Sequence, residues 1–409
     1  MVKSTPCAPR RTQYLAVGIF AMLFSGVLYA WSILKIPFSE DFGWSADALS
    51  LNFTLTMCFF CLGAIVGSLL CRRCGPRVSL IVSGILVGCG FSITAFLTPA
   101  QLILLYVAYA ACAGFGIGIA YNVVVSTVTA WYPDRKGFCS GCLMMGFGFS
   151  TLLLGNGISI LFDAPAVGPK KTFLLLAAVL AAVLVTAAMI LRAPTPDTPL
   201  PKPAARRTDS EKDGVSAIEC TTAQMLRRFS FWRAFLCLAF ITAVGNSVIS
   251  FARDLALSVD ASPSLATTLV GVLAVCNGLG RILTGAVFDA LGRRTTMIAA
   301  NALTITAAAI TLTAVLLHSL PVCIAGLCLT GLSYGSSPTL TSAFTSAFYG
   351  QKHFSVNYSI TNCNLIVAAF IASLCSNLMT RTGGFTAPFV LLLLLSVCAL
   401  VLNITVRRP

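Results

Sequence analysis

The chain is a succession of apolar runs, each about as long as a bilayer is thick. An α-helix rises 1.5 Å per residue, so about 20 apolar residues cross the hydrocarbon core. Such spans are expected at 13–35, 48–71, 78–97, 100–131, 137–161, 171–192, 231–256, 265–288, 295–317, 320–348, 353–379 and 385–406. The chain is 57% hydrophobic and only 10% charged, whereas soluble proteins carry about 25% charged residues. A soluble chain of 409 residues would divide into domains whose surfaces this charge could not cover. The expectation is an all-α membrane protein with twelve transmembrane helices. The run from Tyr14 to Leu34 follows Arg10 and Arg11. It is too long for a signal-peptide core and has no clean small-residue cleavage site after it, so it reads as a retained first span.

The net charge of +14 raises the question of nucleic acid. Its placement excludes that class, because the basic residues sit in short clusters between apolar runs and form no stripe interleaved with aromatics. Lys3, Arg10 and Arg11, then Arg72-Arg73 and Arg77, Arg135-Lys136, the stretch 192–233, Arg293-Arg294, Lys352 and Arg407-Arg408 all fall on one side if both termini lie there. The opposite side holds Lys35, Lys170, Lys171, Arg381 and Arg253. Both termini are therefore expected in the cytoplasm, and the chain in the plasma (inner) membrane.

Residues 193–230 break the apolar pattern with prolines, charges and Ser/Thr. They read as a cytoplasmic linker, with a surface helix near Ala223 to Arg228. The segments either side repeat: Gly75 and Gly292 each follow a span and lie 217 residues apart, and the same offset carries Tyr132 onto Tyr349 and Arg135 onto Lys352. The expected organisation is a six-helix bundle over 1–192, the linker 193–230, and a second, pseudo-symmetric six-helix bundle over 231–409. Such duplication points to a transporter with its site between the halves.

Seventeen cysteines include three CxxC spacings, Cys58/Cys61, Cys71/Cys74 and Cys139/Cys142. A metal site would want further ligands, and the chain has only His318 and His353 as histidines. Cysteine as a small packing residue is the favoured reading, with no metal and no cofactor. No Ser–His–acid set appears either, so an enzyme is not expected.

The loop Gly285-Ala-Val-Phe-Asp289-Ala-Leu-Gly292-Arg293-Arg294 resembles the signature loop of the major facilitator superfamily. Its first-half counterpart is degenerate: Ser68 replaces the glycine and Arg72 the acid, while Gly75-Pro76-Arg77 remains. The resemblance implies the major facilitator fold, and a conformational latch at Asp289, Gly292 and Arg293 through an acid–arginine contact. Tyr29-Ala-Trp31-Ser32, Pro37 and Phe42-Gly43-Trp44-Ser45 narrow it further. With Asn277-Gly-Leu-Gly-Arg281 and Asn357-Tyr358, they resemble the oxalate:formate antiporter and monocarboxylate porter group.

Arg281 is the central candidate. It lies eight residues before Asp289, roughly 12 Å inside the membrane end of its span. A guanidinium keeps its charge in a protein, and placing it mid-membrane costs about 2.5–3.5 kcal/mol on insertion scales. No Asp or Glu lies deep in any expected span. The counter-ion is then either the substrate, held by bidentate carboxylate geometry, or backbone carbonyls, or the cytoplasmic interface reached by snorkelling. In the resembled antiporters the matching arginine binds the carboxylate.

Asn277 precedes Arg281 by one turn and shares its face. The matching position in monocarboxylate porters resembles a proton-coupling Asp, which an amide cannot replace. The oxalate antiporter also uses a lysine in span 11, and the matching position here is Leu365, with Asn362 and Asn364 nearby in sequence. One fixed cation suits a monoanion better than a dianion. Tyr29, Tyr121 and Tyr334 lie in spans 1, 4 and 10, which line the cavity in this superfamily, and a phenol there encloses a carboxylate while donating a hydrogen bond. Gly335-Ser-Ser-Pro338 is expected to break span 10, either as a tolerated kink or as a hinge for gating.

The expected function is alternating-access transport of a small organic anion, a monocarboxylate such as formate, lactate or pyruvate, by exchange. The substrate-binding residues would be Arg281, Asn277, Tyr29, Tyr121, Tyr334 and Asn362, in a bilayer-embedded monomer. Proton-coupled symport, oxalate:formate exchange and a transport-dead sensor are the alternatives.

Overall fold

A computed structural model of the chain describes residues 8–195, 198, 200 and 219–406. Most of the expected linker, together with Lys3, Arg407 and Arg408, lies outside the described residues. Eleven helices among those described are long and apolar enough to cross a membrane. They are α1 (Arg11–Glu40), α2 (Asp47–Thr94), α3 (Leu102–Thr129), α4 (Lys136–Asp163), α5 (Gly168–Ile190), α6 (Phe229–Leu257), α7 (Pro263–Leu291), α8 (Arg293–Leu317), α9 (Leu320–Tyr349), α10 (Phe354–Thr382) and α11 (Thr386–Thr405).

At 48 residues α2 is too long for one crossing. Gly75, at φ 79° and ψ 170°, turns the chain inside it. That conformation strains any residue with a Cβ, and Pro76 can follow because the start of a helix needs no amide donor. Counted at this turn, α2 supplies two crossings. Gly292 adopts φ 80° and ψ 176° between α7 and α8. The sequence repeat therefore reappears as the same backbone turn in each half.

Four further helices depart from regular geometry, one of them α6, which is kinked at Phe251 (φ −126°, ψ 18°). The middle of α1 is a 3-10 helix over Gly26–Ala30, α3 is π-helical over Tyr106–Gly114, and α10 is interrupted between Phe354–Thr361 and Asn364–Thr382. The break expected at Gly335–Pro338 does not occur, because α9 runs unbroken from Leu320 to Tyr349. Proline removes one amide donor, and hydroxyl hydrogen bonds lie beside it. Ser337 is hydrogen-bonded to the Thr242 hydroxyl of α6, and Thr341 donates to the Ser337 carbonyl at 2.9 Å. Hydroxyls of this kind let membrane helices carry proline.

The described residues group into two compact units. One is built from the chain before Arg135 and from Gly146 to the linker. The other contains residues 135–145 and everything after the linker. The opening turns of α4 thus group with the second unit, not with the remainder of their own helix.

In the first unit, α2 and α3 meet at glycines. A Cβ on Gly63 would stand 2.1 Å from the Phe115 carbonyl oxygen, and one on Gly118 would stand 2.0 Å from that of Phe60. Dispersion, with no hydrophobic drive between helices in lipid, then rewards the close approach.

The second unit packs around two apolar clusters. Phe251, Leu269, Leu273 and Phe389 belong to one, and Phe231, Met297, Phe344 and Tyr349 to the other. Between neighbouring helices runs a polar seam on α9. Thr304 pairs with Ser333 at 2.7 Å, and Asn364 donates to Thr341 at 3.2 Å.

The end of the linker is tied to this unit. Thr221 and Gln224 form a reciprocal cap on a short helix, Thr222–Leu226, near the expected surface helix. The Glu219 carboxylate accepts from the Gln351 and Lys352 amides at 3.0 and 2.8 Å. Gly350, at φ 82°, leaves room for it, since a Cβ there would meet a Glu219 oxygen at 2.4 Å.

Candidate functional site

Helix α7 carries Asn277, Arg281 and Asp289 at spacings of four and eight residues, hence along one side. Leu279 and Leu283 lie on the other side and are exposed, as a lipid-facing surface requires. Arg281 is 2% exposed. Its Nε donates to the Asn277 Oδ1 at 3.1 Å, and its Nη1 donates to the Met144 carbonyl oxygen at 2.5 Å. Both acceptors are neutral. The charge is hydrogen-bonded but not neutralised by either.

Helix α9 sets the height of this turn. A Cβ on Gly335 would stand 2.2 Å from the Asn277 carbonyl oxygen and 2.9 Å from the Arg281 nitrogen. Thr339 donates to the Arg281 carbonyl at 3.2 Å. Tyr334, adjacent to Gly335, is buried and lies over Gly245 of α6, whose Cβ would meet the tyrosine ring at 2.3 Å. The structure thus brings Arg281, Asn277 and the helix turn of Tyr334 together. Asn362 is buried at the interruption in α10 but is not among the hydrogen-bond partners of Arg281.

The tyrosines of the first unit converge on Phe147. Tyr29 meets that ring edge-on at 5.3 Å between centroids and Tyr121 meets it at 5.1 Å. Phe60 completes the cluster, 5.0 Å from Tyr121. Phe60 and Phe147 are not distinguishable in the sequence, since phenylalanine in an apolar span carries no mark of its own.

At the end of α7, the Asp289 carboxylate accepts from the Gly137 amide at 2.9 Å and the Phe138 amide at 2.7 Å. These are orphan donors at the start of α4, where the helix dipole also favours an anion. Lys136 beside them lies within electrostatic reach of Glu219 and Asp289. Arg293 stacks over the Phe348 ring at 4.9 Å, and Gly292 makes the turn between the two residues. The contact of Asp289 with the start of α4 is one that the signature loop alone did not disclose.

The family profile of the Major Facilitator Superfamily matches residues 14–253 and 234–409. The chain belongs to the major facilitator superfamily. It is 26% identical over 362 residues to the oxalate:formate antiporter of Oxalobacter formigenes, covering 87% of this chain and 82% of that one. It is 25% identical over 361 residues to the uncharacterized MFS-type transporter YhjX of Escherichia coli strain K12, covering 87% and 85%. Among solved structures, the proton:xylose symporter XylE superposes with a TM-score of 0.74 over 98% of this chain and 97% of that one, at 15% identity. That likeness establishes the fold. A multi-pass, all-helical transporter of this superfamily is therefore what the sequence expectations, the helices and the family profile agree on.

Proposed function

We propose that this transporter exchanges small carboxylate monoanions, such as formate, lactate or pyruvate, by alternating access. The observation that carries the reading is Arg281, a buried permanent cation whose hydrogen-bond partners are an amide and a peptide carbonyl. A carboxylate supplies the charge these lack, in the two-pronged geometry a guanidinium prefers. Asn277, Tyr334, Tyr29, Tyr121 and Asn362 are assigned to the remaining polar contacts and the aromatic walls. Kinship with an oxalate:formate antiporter supports the anion class. Leu365, where that group uses a lysine, is uncharged, and this favours a monoanion over oxalate.

Asn277 cannot carry a proton, so side-chain proton coupling at that position is absent from the mechanism. An empty site would leave Arg281 charged and desolvated on closing, which is costly. The carrier therefore returns loaded, and exchange outpaces net flux. In proteoliposomes, labelled formate uptake should be fast against internal formate and at least about tenfold slower into anion-free vesicles, a difference of about 1.4 kcal/mol in barrier. Equal rates, with acidification of the lumen, would replace exchange by proton-coupled symport. Saturable binding without flux would make the protein a sensor.

A further inference from the structure

The opening turns of α4 lie along α7 in three matched steps. Gly137 faces Gly285, where a Cβ on either would fall within 2.6 Å of the other's carbonyl oxygen. A Cβ on Gly141 would stand 2.5 Å from the Arg281 carbonyl oxygen, and the Met144 carbonyl receives the Arg281 guanidinium. Asp289 closes the far end on the Gly137 and Phe138 amides. Residues 135–145 accordingly group with α7 and not with the rest of α4. The same two side chains of α7, one cationic and one anionic, grip one short segment.

A guanidinium offers a carboxylate two double-pronged edges, one containing Nε and the other containing Nη1. Asn277 engages the first and Met144 the second. Asn277 belongs to the same helix and moves with Arg281, whereas Met144 belongs to the docked segment. The neutral peptide oxygen of Met144 is a weaker partner for a cation than a carboxylate is. The arginine is also 2% exposed in the docked state.

We propose that the anion and the Met144 carbonyl compete for Arg281, so that carboxylate binding undocks residues 135–145 from α7. This rests on the carboxylate reading above and adds to it a coupling between site and latch. Binding and undocking are then linked, and by reciprocity whatever weakens docking strengthens anion binding.

Cys139 and Cys142 are buried within the docked segment and report on it directly. The full chain in proteoliposomes is pulsed with N-ethylmaleimide, with and without sodium formate, and modification is read residue by residue by mass spectrometry. Cys237, buried on α6, serves as an internal reference. Formate should raise Cys142 labelling about fivefold or more, with the concentration dependence of exchange. Asp289→Asn should raise labelling without formate and lower the half-saturating formate concentration. Gly285→Ala should do the same by a different route, since its methyl would strike the Gly137 carbonyl.

Labelling that formate leaves unchanged, while exchange still requires Arg281, would overturn the competition and leave the anion site standing. Weaker formate binding in both variants would overturn it too. If no carboxylate binds at all, the site assignment and the competition fall together.

Discussion

Arg281→Ala should abolish saturable carboxylate exchange, lowering the rate at subsaturating substrate by at least about a hundredfold, a loss of about 2.7 kcal/mol. The variant removes the cation proposed to neutralise the substrate, and with it the guanidinium's hydrogen bond to the Met144 carbonyl. The protein should still fold, because what is lost is one buried charge whose insertion itself costs about 2.5–3.5 kcal/mol. Arg281→Lys separates charge from geometry. A lysine keeps the cation but presents a point charge in place of a planar fork. Partial activity with weakened substrate affinity is expected from it, and Arg281→Gln should resemble alanine. Full exchange in Arg281→Ala, with normal yield in detergent, would mean that Arg281 only staples Met144 to α7.

The second large effect is on folding. Gly118→Val should prevent recovery of a monodisperse protein. Overpacking a core costs about 1–3 kcal/mol when side chains can yield. At Gly118 the obstacle is the Phe60 backbone carbonyl, which cannot yield without separating α2 from α3. Gly157→Ala is the matched control, because a Cβ there meets nothing within 4 Å. It should be neutral or stabilising by about 0.5–1 kcal/mol, through helix propensity alone. Comparable thermal midpoints for the two variants would show that the close approach of α2 and α3 is not needed.

The spans were legible because lipid imposes one rule on every segment: long apolar runs with their amides satisfied internally. The duplication was legible in Gly75 and Gly292, where a positive φ makes glycine hard to replace, and the two turns indeed share their conformation. Arg281 stood out because a charge in an apolar run is expensive.

What sequence did not disclose has a common cause. One of the two acceptors for Arg281 is a peptide carbonyl, that of Met144, and so are the obstacles facing Gly63 and Gly118. Every residue carries that group, so nothing in the letters marks Met144 or Phe60. The 3-10 stretch of α1 and the π-helical stretch of α3 depend on neighbours in the same way. At Pro338 the letter pointed to a break, yet α9 continues through it. The interruption falls instead at Asn362 and Cys363.

The central claim, a monoanion paired with one buried cation, is tested most directly by counterflow. Proteoliposomes holding the purified protein are loaded with unlabelled formate and diluted into labelled formate, lactate, pyruvate or oxalate. The account predicts a transient accumulation of label for at least one monocarboxylate, larger than for oxalate and absent in Arg281→Ala. Accumulation of oxalate above every monocarboxylate, or an undiminished signal in the alanine variant, would contradict it.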